Sequence, residues 1–227
     1  MVILKKISLI IILLFGIPSV HATSFATIHL DSIGSGIREG SNITFSGLLT
    51  TPNGTAIDNR TIFIEDDTAY TRPNIILAIT TTDSDGKFLT FWKAVPKDNG
   101  NPYHFYAKFL GGKIFGYTRS ETYESNMELA NQSYTSTETV PPTKLPGWFK
   151  EASQLWHEGK IRDIDYAYGA ENLIEYKVIK TSKAITPALE IPEWFENVAD
   201  WWANGQITND EFLNSIQFLL DNTIVVL

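Results

Sequence analysis

The feature that most constrains the fold is an ungapped internal duplication near the end of the 227-residue chain. Leu145-Pro-Gly-Trp-Phe149 returns 46 residues later as Ile191-Pro-Glu-Trp-Phe195, and at the same offset Trp156 matches Trp202. Ordered matches at one fixed offset are typical of a duplicated supersecondary unit. The end of the chain is therefore expected to contain two copies of one structure.

Each copy predicts a helical hairpin, with a proline in the first helical turn. Gly159 and Gly205 stand where a helix commonly ends in a left-handed residue. Thr208-Asn-Asp-Glu211 is a capping box that opens the next helix of copy two, and Asp163 is expected to cap the matching helix of copy one. Apolar residues at helical spacing form one broad stripe per copy: Trp148, Phe149, Ala152, Leu155 and Trp156, then Trp194, Phe195, Val198, Trp201 and Trp202.

A hairpin of about 30 residues cannot bury such a stripe by itself. The two copies are therefore expected to pack against each other or against the rest of the chain. Their predicted bounds are 145–180 for repeat 1 and 191–227 for repeat 2, joined by a linker at 181–190.

Residues 23–130 predict an all-β domain, because runs rich in β-branched and aromatic residues alternate with turn residues at even spacing. About seven strands in this length indicate a sandwich of two antiparallel sheets. The alternation in Tyr103–Phe109 predicts one buried and one solvent-facing side. The candidate strands are Phe25–Leu30, Ile43–Leu49, Thr61–Glu65, Ile75–Thr82, Phe88–Val95, Tyr103–Phe109 and Tyr123–Leu129, with Ile114–Tyr117 as an extra or bulged piece.

Residues 131–144 predict a linker between these two parts. The segment is rich in Thr and Ser and contains a Pro-Pro pair, which resists both helix and sheet. The predicted fold class is therefore α+β and multidomain, with an all-β sandwich followed by an all-α pair of hairpins.

The first 22 residues predict a secretory signal peptide. Lys5 and Lys6 precede an uncharged apolar run, and Val20-His21-Ala22 offers small residues for cleavage before Thr23. The run is about 11 residues long, whereas a spanning helix needs roughly 20. Cleavage would leave 205 of the 227 residues. An uncleaved anchor is the alternative, and only then would a membrane be a partner.

The composition excludes some classes of partner and some kinds of chemistry. Without Lys5 and Lys6, the chain has 16 basic and 26 acidic residues. Such a surface repels phosphate backbones, so nucleic acid is not expected as a partner. The chain has no cysteine, which excludes disulfides and thiolate chemistry. No cofactor is expected.

Two resemblances rest on these segments. The run from Gly40 to Leu129, with Ile43-Thr-Phe-Ser-Gly-Leu-Leu49 and Thr82-Asp-Ser-Asp-Gly86, resembles the immunoglobulin-like modules of prokaryotic surface proteins. Such modules are mostly spacers and adhesive units, which implies little about a specific ligand. The hairpin Ile191–Leu220 resembles a Trp-rich repeat of exported proteins from ammonia-oxidising archaea, which implies export and lineage more than mechanism.

No pattern singles out catalytic residues. Asp83 and Asp85 are a weak calcium candidate, because clustered carboxylates suit calcium. The common alternative is a hairpin turn, since Asp85-Gly86 separates two predicted strands. His29, His104 and His157 show no pairwise ligand spacing. A hydrolase whose site assembles from loops stays as the least favoured alternative.

Tryptophans and sequons supply the remaining candidate sites. Trp148, Trp156, Trp194, Trp201 and Trp202 are candidate partner-binding residues, although their helical spacing favours a role in the core. Four N-x-S/T sequons make glycosylation candidates of Asn42, Asn53, Asn59 and Asn131.

These features predict a non-catalytic exported or cell-surface protein. In this hypothesis the sandwich is a spacer or adhesion unit, and the hairpins dock an envelope or extracellular protein. An accessory module that binds polysaccharide through exposed tryptophans is the main alternative.

Overall fold

A computed structural model describes residues 25–33, 37–67, 74–95, 102–112, 115–120, 123–125, 127–128, 145–180 and 191–221. The predicted signal peptide and the predicted linkers at 131–144 and 181–190 lie outside the described residues. The described residues form an α+β fold. Its strands are β1 (Thr27–Leu30), β2 (Ile37–Arg38), β3 (Asn42–Thr50), β4 (Thr61–Asp66), β5 (Ile75–Thr81), β6 (Lys87–Lys93), β7 (Tyr103–Phe109), β8 (Thr118–Arg119), β9 (Tyr123–Ser125) and β10 (Met127–Glu128). Its helices are α1 (Gly147–His157), α2 (Asp163–Glu175), α3 (Glu193–Ala203) and α4 (Asn209–Asp221).

The longer strands form two antiparallel sheets. The first sheet has the order β1-β3-β6. The second has the order β5-β4-β7-β8, and β9 pairs with the opposite end of β7. The short strands β2 and β10 pair in parallel. Each of the seven predicted strands overlaps an observed one, because the turn residues between them were correctly placed.

The two sheets face each other across a shared apolar core, in a sandwich-like arrangement. Phe45 of β3 and Phe105 of β7 meet there with ring centroids 5.2 Å apart. Trp92 is half-buried and packs edge-on against Tyr103, 4.9 Å between centroids. The Tyr103 hydroxyl donates to the Val95 carbonyl at 2.7 Å. Aromatic contacts therefore join the two sheets in a chain that has no cysteine.

The helices form a third layer. Helices α1 and α2 lie on β5, and α3 packs against α1. Phe63 and Ile79 of the second sheet share one buried apolar cluster with Phe149 and Phe195 of the helices. Both expected ways of burying the apolar stripes therefore occur, because the helix pairs pack on each other and on the sheet.

This third layer corrects one prediction about the second sheet. The alternation in β7 predicts a wet face, but Tyr106 on that face is 1% exposed and His104 and Lys108 are half-buried. All six residues of β4 are buried as well. Strands covered on both faces have continuous apolar runs rather than alternation, and Ile75–Ile79 is such a run.

Local signals set the ends of the helices. Gly159 and Gly205 have φ of +68° and +73°, which confirms the left-handed residues after α1 and α3. Thr208 and Glu211 form the predicted capping box, with Thr208 N–H donating to the Glu211 carboxylate at 2.7 Å and Glu211 N–H to the Thr208 hydroxyl at 3.2 Å. The prediction that Asp163 caps α2 is wrong, because it is the first residue of that helix.

Candidate functional site

Each helix pair is centred on a stacked tryptophan. Trp156 lies 4.2 Å from Tyr166 between ring centroids, and Trp202 lies 4.3 Å from Phe212. Each indole N–H donates to the first residue of the next helix, Trp156 to Asp163 at 2.9 Å and Trp202 to Asn209 at 2.8 Å. Asp163 therefore holds the indole instead of capping the helix. The two copies preserve this geometry at the offset of 46 residues.

The predicted partner-binding tryptophans divide into two groups. Trp148, Trp156 and Trp202 are 9%, 5% and 0% exposed, so they belong to the core and offer no free ring face. Trp194 and Trp201 are 44% and 47% exposed. A surface for a partner can therefore use only the second group.

Phe218, which sequence reasoning did not place at a site, extends this surface. Its ring is 53% exposed and lies 6.4 Å from the Trp194 ring between centroids. Trp194 and Trp201 are seven residues apart on α3, which places them on the same side of that helix. We call Trp194, Trp201 and Phe218 the aromatic face. The signal for Phe218 was the mismatch between the copies, since repeat 1 has Asn172 there.

The equivalent positions of repeat 1 contact other parts of the chain. Trp148, Leu155 and Asn172 are equivalent to Trp194, Trp201 and Phe218 at the offset of 46 residues. Trp148 and Asn172 are buried, and Leu155 packs half-buried against the same apolar cluster that includes the sheet. The Asn172 amide donates to the Asn74 carbonyl, just before β5, at 2.8 Å. This side of the first helix pair therefore covers the sheet.

The aromatic face lies on a strongly acidic unit. From Ile191 to Asp221 the chain has six carboxylates and no lysine or arginine. Glu211, one of the six, is exposed, and hydrogen bonds from the Thr208 backbone and side chain hold the pKa of its carboxyl below the usual value. Two of the other carboxylates, Glu196 and Asp200, lie 3.8 and 3.9 Å from His157 of α1.

A buried polar network joins the second sheet to α2. Glu65 of β4 is 0% exposed and accepts hydrogen bonds from the hydroxyls of Tyr106 and Tyr168, the latter at 2.7 Å. Lys108 lies 3.4 Å from the same carboxylate and donates to the Tyr168 hydroxyl. Burial, and then the Glu65 charge, raises the pKa of Tyr106 and of Tyr168 above the ordinary tyrosine value.

A second set of polar contacts lies alongside this network. Asp165 is 1% exposed and accepts from the Arg162 guanidinium at 2.7 and 2.8 Å and from the Thr61 hydroxyl at 2.8 Å. Both oxygens of Glu65 and of Asp165 therefore have donors, as buried carboxylates require. These groups connect α2 to the second sheet through Thr61 and Glu65.

The calcium candidate lies in the turn between β5 and β6. One oxygen of Asp83 accepts from the backbone N–H groups of Asp85 and Lys87, each at 2.9 Å. Asp85 lies 3.4 Å from the Lys87 ammonium. Asp83 thus caps its own turn, and the described residues contain no cluster of three or more metal-ligating side chains.

The histidines and the sequon asparagines lie at separate positions on the molecule. His29 lies 3.6 Å from Asp31, and His157 lies 3.8 Å from Glu196. Asn42, Asn53 and Asn59 are exposed, as a glycan acceptor must be, whereas Asn131 lies outside the described residues. Glycosylation stays a prediction at all four sites. Among the described helices, none has the length and apolar character needed to span a membrane.

No protein-family model matches the chain, and no curated protein matches its sequence.

Proposed function

We propose that the chain is an exported or cell-surface protein without catalytic activity. Its two sheets act as an immunoglobulin-like spacer or adhesion unit, and its two helical hairpins dock an envelope or extracellular protein. The observation that carries this proposal is the aromatic face, which is exposed although two of its three equivalents in repeat 1, Trp148 and Asn172, are buried.

The strand order supports an immunoglobulin-like assignment of the sheets. The seven strands that match the predicted ones are β1, β3, β4, β5, β6, β7 and β9 in chain order. The first, second and fifth of these share one sheet, and the third, sixth and seventh share the other. This is the common arrangement of such domains. The fourth strand, β5, pairs with the third rather than the fifth, a variation that sandwich domains of this type accommodate.

Two side-chain features support the same assignment. Immunoglobulin domains often have a tyrosine near the start of the sixth strand whose hydroxyl bonds the backbone upstream, and a sheet-bridging cysteine two residues later. Tyr103 occupies the first place and bonds Val95. Phe105 occupies the second, and its contact with Phe45 of the second strand lies where the disulfide would be.

The docking role follows from the cost of exposed aromatic rings. The exposed indoles of Trp194 and Trp201 keep apolar surface in contact with water, which is unfavourable unless a partner covers it. Aromatic residues are also the type most enriched at the centres of interfaces. Trp202 joins α3 to α4 through its stacking on Phe212 and its hydrogen bond to Asn209. A surface held in place in this way loses less conformational entropy on binding.

Cross-linking mass spectrometry on intact cells tests this proposal and reads the mature N-terminus in the same experiment. We expect Thr23 as the first residue and repeatable cross-links from a lysine of the helical part, such as Lys150 or Lys160, to another polypeptide. Trp194→Ser combined with Phe218→Ser should remove these cross-links. Ile164→Ser, at a 42% exposed position outside the aromatic face, should leave them unchanged. Cross-links that persist in the double variant would refute docking through this face.

Polysaccharide binding is the second candidate, and Trp194 and Trp201 favour it because they present two exposed indoles on one side of α3. Its test is the fluorescence of the purified protein during titration with cell-surface polysaccharide. A change in emission that is lost in Trp194→Phe with Trp201→Phe would support it. Unchanged emission would leave protein docking as the favoured function.

A further inference from the structure

The three sequons that the structure describes differ in the exposure of their hydroxyl residue. An N-x-S/T sequon contains both an asparagine and a hydroxyl residue, so a glycosyl transferase must contact both of them. Asn42, Asn53 and Asn59 are all exposed. The asparagines alone therefore do not distinguish the three sequons. The distinction comes from the hydroxyl residues that follow them, which are Thr44, Thr55 and Thr61.

The sequon at Asn53 lies in the turn between β3 and β4. Residues 52–56 are all exposed, so the side chains of Asn53 and Thr55 are both in contact with solvent. The Gly54 N–H donates to the Thr51 carbonyl at 2.9 Å, which closes a four-residue turn with Asn53 in its third position. Because this turn lies outside the strands, a transferase can bind it without opening a β-ladder.

The sequon at Asn59 has a buried hydroxyl residue. Thr61 is the first residue of β4, is 4% exposed, and donates its hydroxyl to the Asp165 carboxylate of α2 at 2.8 Å. The residue between them, Arg60, is held on both sides. Its backbone N–H donates to the Thr82 hydroxyl at 3.0 Å, and its carbonyl accepts the Thr82 N–H at 2.9 Å. A transferase could contact Thr61 only if α2 moved away from the sheet.

The sequon at Asn42 is an intermediate case. Thr44 is exposed, so the hydroxyl is accessible. Both residues belong to β3, however, where Asn42 lies opposite Lys93 of β6 and Thr44 lies opposite Phe91. The ladder between β3 and β6 holds this segment extended within a sheet, and a transferase that needs the segment free of the sheet would have to break ladder hydrogen bonds. Among the described sequons, Asn53 therefore has the most accessible surroundings.

We propose that Asn53 carries an N-linked glycan and that the folded chain is not modified at Asn59. The inference rests on the proposed export, because sequons are used in exported proteins. The co-reactant is a glycan linked to a lipid phosphate. The Asn53 amide nitrogen forms a bond to the anomeric carbon of the glycan, and the bond from that carbon to the phosphate oxygen breaks. The lipid phosphate leaves with the electron pair and one amide proton is released, so nothing is oxidised or reduced.

A glycan at Asn53 would cover one end of the sandwich. The Leu49 N–H donates to the Gly86 carbonyl at 2.8 Å, which brings the β5–β6 turn beside the β3–β4 turn. A glycan is bulky and strongly hydrated, so it would keep other macromolecules away from both turns. Trp194 and Trp201 lie on α3 and not on these turns. Glycosylation and docking therefore use different residues and can be tested separately.

An acceptor assay that compares the folded protein with two peptides tests the inference. The probes are a purified oligosaccharyltransferase that accepts N-x-S/T sequons and a lipid-linked glycan donor. Peptides of residues 48–58 and 54–64 present the sequons of Asn53 and Asn59 without the fold. Mass spectrometry of proteolytic peptides measures the mass added to each asparagine. We expect both peptides to be modified, whereas the folded protein should be modified about tenfold faster or more at Asn53 than at Asn59.

Substitutions in the exposed turn separate the sequon from other effects. Thr55→Ala should abolish modification at Asn53, whereas Thr55→Ser should retain it because serine also completes the sequon. Thr55 is exposed, so neither change disturbs the core. Asn59→Gln is the matched control and should leave the modification of Asn53 unchanged. Circular dichroism of each variant shows whether the fold is retained.

The protein isolated from the cells that produce it gives the second measurement. Its peptides should show a glycan mass on Asn53 and none on Asn59. Two outcomes would overturn the inference: Asn53 is unmodified in a chain whose first residue is Thr23, or Asn59 is modified as fast as Asn53 in the folded protein. Failure of the proposed function gives a different result. A chain that retains residues 1–22 inside the cell would refute export, and the acceptor assay would still decide between Asn53 and Asn59.

Discussion

Two adjacent tryptophans offer an internal test of how the helical part is stabilised. Trp202 is 0% exposed, stacks on Phe212 at 4.3 Å and donates its indole N–H to Asn209. Trp201 is 47% exposed. The same substitution, Trp→Ala, at the two positions changes composition identically and differs only in what the ring contacts.

The expected magnitude for Trp202→Ala follows from the area it buries. A large aromatic side chain buries about 200 Å², which at about 25 cal/mol per Å² corresponds to about 5 kcal/mol. The extended reference chain overstates this value, while the cavity and the lost hydrogen bond add to it. We expect Trp202→Ala to lower the free energy of unfolding by about 4 kcal/mol.

Trp201→Ala should lower the free energy of unfolding far less. Half of its ring is already in water, and solvent fills the space that the substitution leaves, so no cavity forms. We expect a loss of about 1 kcal/mol or less. Trp202→Phe keeps a stacked ring but leaves Asn209 without its donor, so an intermediate loss of about 1–2 kcal/mol is expected.

Urea denaturation of the protein, followed by circular dichroism, measures all three variants. The midpoint should shift strongly for Trp202→Ala and weakly for Trp201→Ala, with similar slopes. Equal shifts for Trp201→Ala and Trp202→Ala would refute the assignment of Trp202 to the core and of Trp201 to the surface.

Three further predictions use the same denaturation assay. Asp165→Ala should lower the free energy of unfolding by about 2–3 kcal/mol because it leaves buried donors without an acceptor. Glu211→Ala, at the equivalent exposed position, should lower it by clearly less, and equal losses would contradict the burial difference. The unfolding free energy should fall as pH rises above 10.0, the ordinary tyrosine pKa, because burial raises the pKa of Tyr166 in the folded state and the unfolded chain ionises first. Tyr166→Phe should make this fall of the unfolding free energy with pH less steep. An unchanged pH dependence would contradict the role of Tyr166. Gly205→Ala should cost about 1 kcal/mol, since φ is +73° there; no loss would show that the turn tolerates a side chain.

The local elements could be read from the sequence because their causes are local. Turn residues separate the strands, and glycines in the left-handed region end α1 and α3. The capping box at Thr208 was found because its two partners are three residues apart. The duplication was visible because it has no gap. These signals depend on backbone geometry within a few residues, which the order of amino acids controls directly.

The N-terminal cap of α2 shows where local reasoning failed. Asp163 has the residue type that commonly caps a helix. Its carboxylate instead accepts the Trp156 indole N–H, and Asp165 accepts the Arg162 backbone N–H at 3.2 Å. Sequence position alone could not choose between these partners, because a buried indole N–H also requires an acceptor.

The candidate site required the tertiary structure. All five C-terminal tryptophans fit the helical stripe, yet three are core residues and two are exposed. What distinguishes Trp194 from Trp148 is a neighbour, because repeat 1 has the second sheet beside it and repeat 2 does not. The sequence did not identify Phe218 as part of the candidate site for the same reason.

The sequence by itself determined the α+β class, the longer strands, the duplication and the helix ends other than the start of α2, since each depends on propensity and spacing along the chain. Only the tertiary structure decided that the helices cover the second sheet, that Tyr106 and Glu65 are buried there, and that Trp194 and Trp201 are exposed. The physical reason is that a side chain is buried only when a second element packs against the surface on which it lies. A residue's own helix or strand fixes which way its side chain points, but the element packed opposite fixes whether that side chain contacts protein or water.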